Sequence, residues 1–257
     1  MTGDAETGDP GPSREASPGS TGWAHLLGEL RDAERSPRRS ELRRLANGMR
    51  GLLHRLVQTT APVPVIAEAA DQLEGLAARF EEHPNASIYE GFAEAANSGD
   101  PFAFFDHSPM LGVANPLAPP IELWLGDEGD RIVGRATFGA AYEGPPGCVH
   151  GGYIAAAFDE VLGCTQSLSG SPGMTGRLTV NYRSPTPLHT ELRFEGSLER
   201  VDGRKIFTLG QLWAGDTLCA EAEGLFISME GTRFADLKEQ RDLRRRAQGL
   251  DGPTDGS

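Results

Sequence analysis

A chain of 257 residues with a formal charge of −13 is poorly suited to coat nucleic acid or anionic membrane, because both call for a cationic surface. At 38% apolar and 24% charged residues it can build a packed core of one or two ordinary domains, while 33 glycines and 18 prolines point to long loops as well. Cys148, Cys164 and Cys219 fit neither an even disulfide framework nor a zinc spacing, which suggests a reducing compartment.

The chain shows no run of about 18 apolar residues that would span a membrane. Its acidic start lacks the basic and apolar parts of a leader. The expectation is a cytoplasmic protein with no nucleic-acid partner and no membrane span. An anionic small ligand stays open, since a local cluster of Arg or Lys and a few aimed backbone N–H groups suffice to hold one.

Residues 1–21 are Gly, Pro, Ser, Thr and acid, and are expected to stay disordered. Residues 22–95 read as a helical region. Trp23, Leu26, Leu27 and Leu30 suggest one short amphipathic helix, followed by Ser36-Pro37. Leu42, Leu45, Met49, Leu52, Leu53 and Leu56 recur in threes and fours, the helical period, until Pro62 and Pro64 break the pattern. A third run carries Ile66, Leu73, Leu76 and Phe80. Arg38, Arg39, Arg43, Arg44, Arg50 and Arg55 line the second run. They are either a solvated helix face or a docking surface for an acidic partner or phosphates.

Residues 96–230 read as an α+β domain. Period-2 alternation marks strands around Ile121–Leu125, Arg131–Phe138, 176–187, 190–201, 204–214 and 217–229, with Asp202-Gly203 as a hairpin signal. Glu199, Glu221 and Glu223 are expected on a solvated face. One apolar helix, from Gly151 to about Leu168, interrupts the strands, and its small residues Ala155, Ala156 and Ala157 allow a sheet to wrap closely. Residues 231–257 read as a charged C-terminal helix and tail.

The chemistry-bearing segment runs from Gly144 through His150-Gly151-Gly152 into that helix. A glycine-rich turn feeding a helix N-terminus presents unpaired N–H groups and partial positive charge. Without a Cβ, it lets a ligand come close. That arrangement stabilises an oxyanion formed from a carbonyl under attack. Asp159 lies nine residues beyond His150, roughly 13 Å along the axis. It is too far to meet the oxyanion of its own chain, and within reach of one in an antiparallel neighbour. A carboxylate in so apolar a helix is costly unless it is paired or used.

HGGYIAAAFDEVLG, with EGPPGCV before it and MTGRLTVNYRSPTP after, resembles the PaaI-like branch of hotdog-fold acyl-CoA thioesterases over about residues 100–229. The resemblance implies the hotdog fold, an antiparallel sheet wrapped round one long central helix, here with an N-terminal helical extension. It implies hydrolysis of acyl-CoA by a homodimer or a dimer of dimers, without cofactor.

The resemblance also implies a role for each matched position: Gly151 with His150 polarises the thioester carbonyl, and Gly152 completes the turn. The resemblance makes Asp159 the expected catalytic carboxylate, as general base or nucleophile. The adjacent Glu160 is the alternative holder of that role. Thr175 helps hold the attacking water. Asn181, Tyr182 and Arg183 line the CoA channel, and Arg204 with Lys205 sits near the CoA phosphates or is an ordinary charged hairpin. The Glu143–Pro146 loop and residues 101–119 border the acyl pocket. His25, His54, His83, His107 and His189 show no metal-ligand spacing, so no metal is expected. The alternative function is a non-catalytic acyl-CoA-binding or sensing module on the same fold. A hydratase or dehydratase is disfavoured, because its histidine downstream of an Asp on a loop-helix unit is missing.

Overall fold

The computed structural model describes residues 37–83, 106–171 and 173–228, with isolated positions between 236 and 247. The expected tail over 1–21 and the helix around Trp23–Leu30 lie outside the described residues, as does most of the C-terminal helix. The second and third helical runs are α1 (Pro37–Leu56) and α2 (Val63–Glu81). Pro64 begins α2 rather than merely ending α1, since a helix's first turn needs no N–H at that position.

Among the described residues six antiparallel strands follow: β1 (Glu122–Leu125), β2 (Arg131–Thr137), β3 (Gly173–Tyr182), β4 (Glu191–Asp202), β5 (Lys205–Ala214) and β6 (Thr217–Ser228). They form one sheet in the order β1-β2-β4-β5-β6-β3. The third strand lies earlier than the alternation predicts. It ends before Pro185 and Pro187, which have no N–H to give a ladder. The β4–β5 turn also shifts by one: Asp202 still pairs with Lys205, and Gly203 takes the left-handed conformation at φ 57°. Among the described residues, strand β3 closes one side of the sheet and bonds only to β6. Met174 and Tyr182 on it are about half exposed.

Helix α3 (Gly151–Gln166) crosses the inner face of this sheet. Its Ile154, Phe158, Val161 and Leu162 are buried against Phe194, Ile206 and Phe226, and the Phe158 ring meets Phe194 edge-on at 5.7 Å. The sheet admits the helix through glycine. Gly196 of β4 registers with Gly210 of β5. A Cβ on Gly196 would lie 2.2 Å from the Thr165 hydroxyl, and one on Gly210 would lie 3.0 Å from the Phe158 ring. Thr165 cannot swing away freely, because it is fully buried and its hydroxyl donates to the Val161 carbonyl at 2.7 Å.

The Arg run of α1 divides. Arg38, Arg44 and Arg55 face solvent, and Arg44 pairs with Glu41. Arg39 and Arg43 instead grip the buried Asp106 at 2.5 and 2.7 Å, and Arg50 reaches backbone carbonyls of the 113–118 loop. Part of the run thus packs on the chain's own acidic and carbonyl groups, which neither reading of it anticipated.

Gly196→Ala should cost about 1–3 kcal/mol, the usual penalty of overpacking a filled core. Denaturant unfolding against the wild type checks this, and an unchanged midpoint would show that the helix does not approach the sheet so closely.

Candidate active site

The N-terminus of α3 is a set of commitments that leaves one donor over. His150 is the cap residue, with extended backbone at φ −62° and ψ 132°. Its Nδ1 accepts the Gly152 N–H at 3.0 Å. Its carbonyl accepts the N–H groups of Tyr153 and Ile154, at 2.9 and 3.3 Å. Its own N–H donates to the Tyr142 carbonyl at 2.9 Å. Only the Gly151 N–H in this first turn has no partner among the described residues. The helix dipole adds partial positive charge there. The Tyr182 hydroxyl donates to the Gly151 carbonyl at 2.7 Å and packs against its Cα, where a Cβ would come within 3.1 Å. Together, Tyr182 and the imidazole fix both ends of the Gly151–Gly152 peptide.

A cleft of about 410 Å³ opens beside this amide, lined by Pro145, Cys148, Gly151, Ile154, Tyr182 and Thr186 among others. The loop before it is held by the Glu143 carboxylate, which accepts the Gly147 N–H at 2.7 Å. Gly147 is in the left-handed region at φ 72°.

The two adjacent carboxylates of α3 point to different environments. Asp159 faces solvent, and its Oδ1 accepts the Thr175 hydroxyl at 2.9 Å. One residue further round the helix, Glu160 turns inward toward Ser108. The Ser108 hydroxyl accepts the Met110 and Leu111 N–H groups, so its own proton goes to Glu160 Oε1 at 2.9 Å. Burial pushes the Glu160 pKa up to about 7. The Ser108 bond opposes this and the Asp159 charge adds to it.

The remaining expected residues fall in two places. Asn181 and Arg183 share a groove of about 580 Å³ on the outer face of the sheet, where Arg183 Nε donates to Glu221 at 2.7 Å. Arg183 also borders the Gly151 cleft. Arg204 lies in the β4–β5 turn with its Nε donating to the Ser228 carbonyl. Lys205 registers against Ile227, which registers against Met174 beside Thr175. The basic pair is thus at the Asp159–Thr175 end, while His150, Gly151, Gly152 and Tyr182 are together at the other. Eight residues of helix separate Gly151 from Asp159, about 12 Å.

Sequence reasoning missed Tyr142 and Ser108. Tyr142 is buried, its ring meets Tyr153 at 4.9 Å edge-on, and its hydroxyl donates to the Leu117 carbonyl at 2.9 Å. Neither residue carries a motif, and only their long-range contacts reveal them. Among the described residues, no group of His, Cys, Asp and Glu could hold a metal ion, and no helix is long and apolar enough to cross a membrane.

Residues 146–221 match the family model of the thioesterase superfamily. The acyl-coenzyme A thioesterase THEM4 of Xenopus laevis is 39% identical over 101 residues, covering 38% of this chain and 46% of that protein. THEM5 of Homo sapiens, also an acyl-coenzyme A thioesterase, is 28% identical over 94 residues, covering 36% of this chain and 38% of that protein. The chain thus spans less than half the length of these curated relatives. A solved thioesterase superfamily protein is 34% identical with a TM-score of 0.65, covering 72% of this chain and 94% of that one. Residues 106–228 make up less than half of the chain, so that likeness extends beyond the sheet and its helix.

Glu160 makes stability depend on pH. Its folded pKa of about 7 exceeds the ordinary 4.5, so between these values the folded state keeps a proton that the unfolded state has lost. Stability contributed by this group is full below pH 4.5, falls as pH rises toward 7, and levels off above. Glu160→Gln should remove that slope and raise stability at pH 8 by on the order of 2–3 kcal/mol. Urea midpoints across pH 4–8 test it. Parallel profiles for both proteins would refute the assignment.

Proposed function

Because the chain belongs to the thioesterase superfamily, we propose that it hydrolyses acyl-CoA thioesters to the free acid and CoA, with Asp159 as general base and the Gly151 N–H as oxyanion donor. The single uncommitted amide at a capped helix terminus carries this reading. Thr175 occupies one oxygen of Asp159 and leaves the other for a water. In the proposed reaction, Asp159 takes the water's proton as its oxygen bonds to the thioester carbon. The carbonyl oxygen gathers negative charge against the Gly151 N–H, and the collapsing intermediate breaks the C–S bond. The departing CoA sulfur then receives the proton.

The two halves of this machinery lie about 12 Å apart on one helix. We therefore read the protein as a homodimer, with the Asp159 of each subunit serving the Gly151 amide of the other. The side of β3 that has no strand partner among the described residues and the exposed Asp159 support that reading. Motif order from His150-Gly151-Gly152 through Asp159 to Met174-Thr175 is the basis for assigning it to the PaaI-like branch. The unpaired spacing of its cysteines is the basis for a cytoplasmic setting.

Thiol release from a panel of short, long and aryl CoA esters tests the activity. Wild type should turn over at least one of them. Asp159→Asn should lower kcat about 10²–10⁴-fold with little change in KM. Tight binding of CoA esters without release by the wild type would instead support a sensing module.

Gly151→Pro removes the oxyanion N–H at a position where helices accept proline. Mixing it with Asp159→Asn after subunit exchange should restore activity to about a quarter of wild type, since half the dimers would then hold one intact site. No recovery, with exchange verified by mass, would place each site within one chain.

A further inference from the structure

We propose that α1 is a brace for the oxyanion-binding turn, with His54, Arg50 and Tyr142 as positioning residues for the Gly151 amide. This rests on the hydrolytic reading for its kinetic consequence, though not for its geometry.

The direction of the Gly151 N–H is set by the backbone of His150, the cap. The His150 N–H is tied to the Tyr142 carbonyl at 2.9 Å. Whatever holds Tyr142 therefore holds the cap. Tyr142 belongs to a one-turn 3-10 segment, Ala140–Tyr142, which is too short to fix its own position. Two side chains of α1, one helical turn apart, secure it from opposite ends.

At the backbone end, His54 Nδ1 accepts the Ala141 N–H at 3.1 Å. The imidazole lies over Gly139, where a Cβ would come within 2.7 Å of the ring, and meets the Tyr142 ring edge-on at 5.5 Å. Accepting that bond requires an unprotonated Nδ1. Burial, then the nearby His189 and Arg50, pushes the His54 pKa below the ordinary imidazole range. The acceptor is thus present at neutral pH.

At the hydroxyl end, Tyr142 donates to the Leu117 carbonyl. The loop carrying that carbonyl is held by Arg50, whose guanidinium donates to the carbonyls of Ala118 at 2.8 Å and Asn115 at 2.9 Å. Arg39 and Arg43, on Asp106, anchor the far end of the same helix. The path from α1 to the amide is continuous: His54 to Ala141, Tyr142 to His150, His150 to Gly151. No residue of α1 lines the cleft beside Gly151, so a defect in the brace should alter turnover rather than substrate binding.

The full-length protein is tested with two substitutions at one position. Asn places an oxygen where the imidazole has Nδ1, whereas Leu offers no acceptor. For His54→Leu the expected result is a kcat lower by about tenfold, with KM within about twofold, because small misplacement of a reacting group is costly. His54→Asn should recover most of that loss. Hydrogen exchange supplies a readout independent of activity. In His54→Leu, amides 148–154 should exchange faster, with residues 160–166 at the other end of α3 unchanged.

Unchanged kcat and unchanged exchange at 148–154 in His54→Leu would overturn the brace, as would exchange that rises uniformly across the protein. A rise in KM alone would overturn it too, by making α1 a substrate contact. If the wild type hydrolyses no CoA ester, the functional reading fails and exchange alone decides the brace. Should His54→Leu not fold, Arg50→Met is measured in the same two ways.

Discussion

The approach of α3 to the sheet is the constraint on which the remaining geometry depends. At Gly196 and Gly210 the strands carry no side chain, and Thr165 and Phe158 occupy the space that a Cβ would need. Packed interiors tolerate little extra volume, so the helix has one depth and one rotation about its axis. That rotation decides which side chains are buried and which reach the surface. It sends Ile154, Phe158 and Val161 into the core and leaves Asp159 on the solvent side. It also fixes where the first turn ends, and with it the point at which the Gly151 amide emerges.

From that rotation follows the different chemistry of two neighbouring carboxylates. Asp159 and Glu160 are the same functional group one residue apart, but 100° of helix separates them. One meets water and a threonine hydroxyl. The other meets a buried serine and is held partly protonated near neutrality. A base that must collect a proton from water needs solvent access and a low enough pKa to be ionised at rest, and the exposed residue has the first of these. The inward residue ties α3 to the 106–121 segment through the Ser108 hydroxyl.

Much of this was readable in the sequence. Hydrophobic period located α1, α2, α3 and all six strands, and the glycine pair before an apolar helix located the amide. The resemblance set Thr175 beside the attacking water, and its hydroxyl in fact lies on Asp159 itself. What the sequence does not carry is contact between distant segments. His54 and Ala141 are 87 positions apart, and Arg43 and Asp106 are 63 apart, and no local pattern links either pair. Side-chain direction at strand ends is equally hidden. Asn181 and Tyr182 read as one cluster, yet the pleat sends Asn181 to the outer groove and Tyr182 to the helix terminus. For His150, the position at the helix start suggested a residue of the polarising turn, and its extended backbone and side chain make it the cap.

Arg50 holds the 113–118 loop by main-chain oxygens. Carbonyls are the one feature every residue shares, so such a grip reads the path of the loop and ignores its side chains. Substitutions that preserve the path leave the attachment whole. The loop is thereby free to diverge in composition between related proteins while its hold on Tyr142 persists. Composition and alignment are uncoupled at this point, and a library varied at residues 113 and 117 would change the first without disturbing the second.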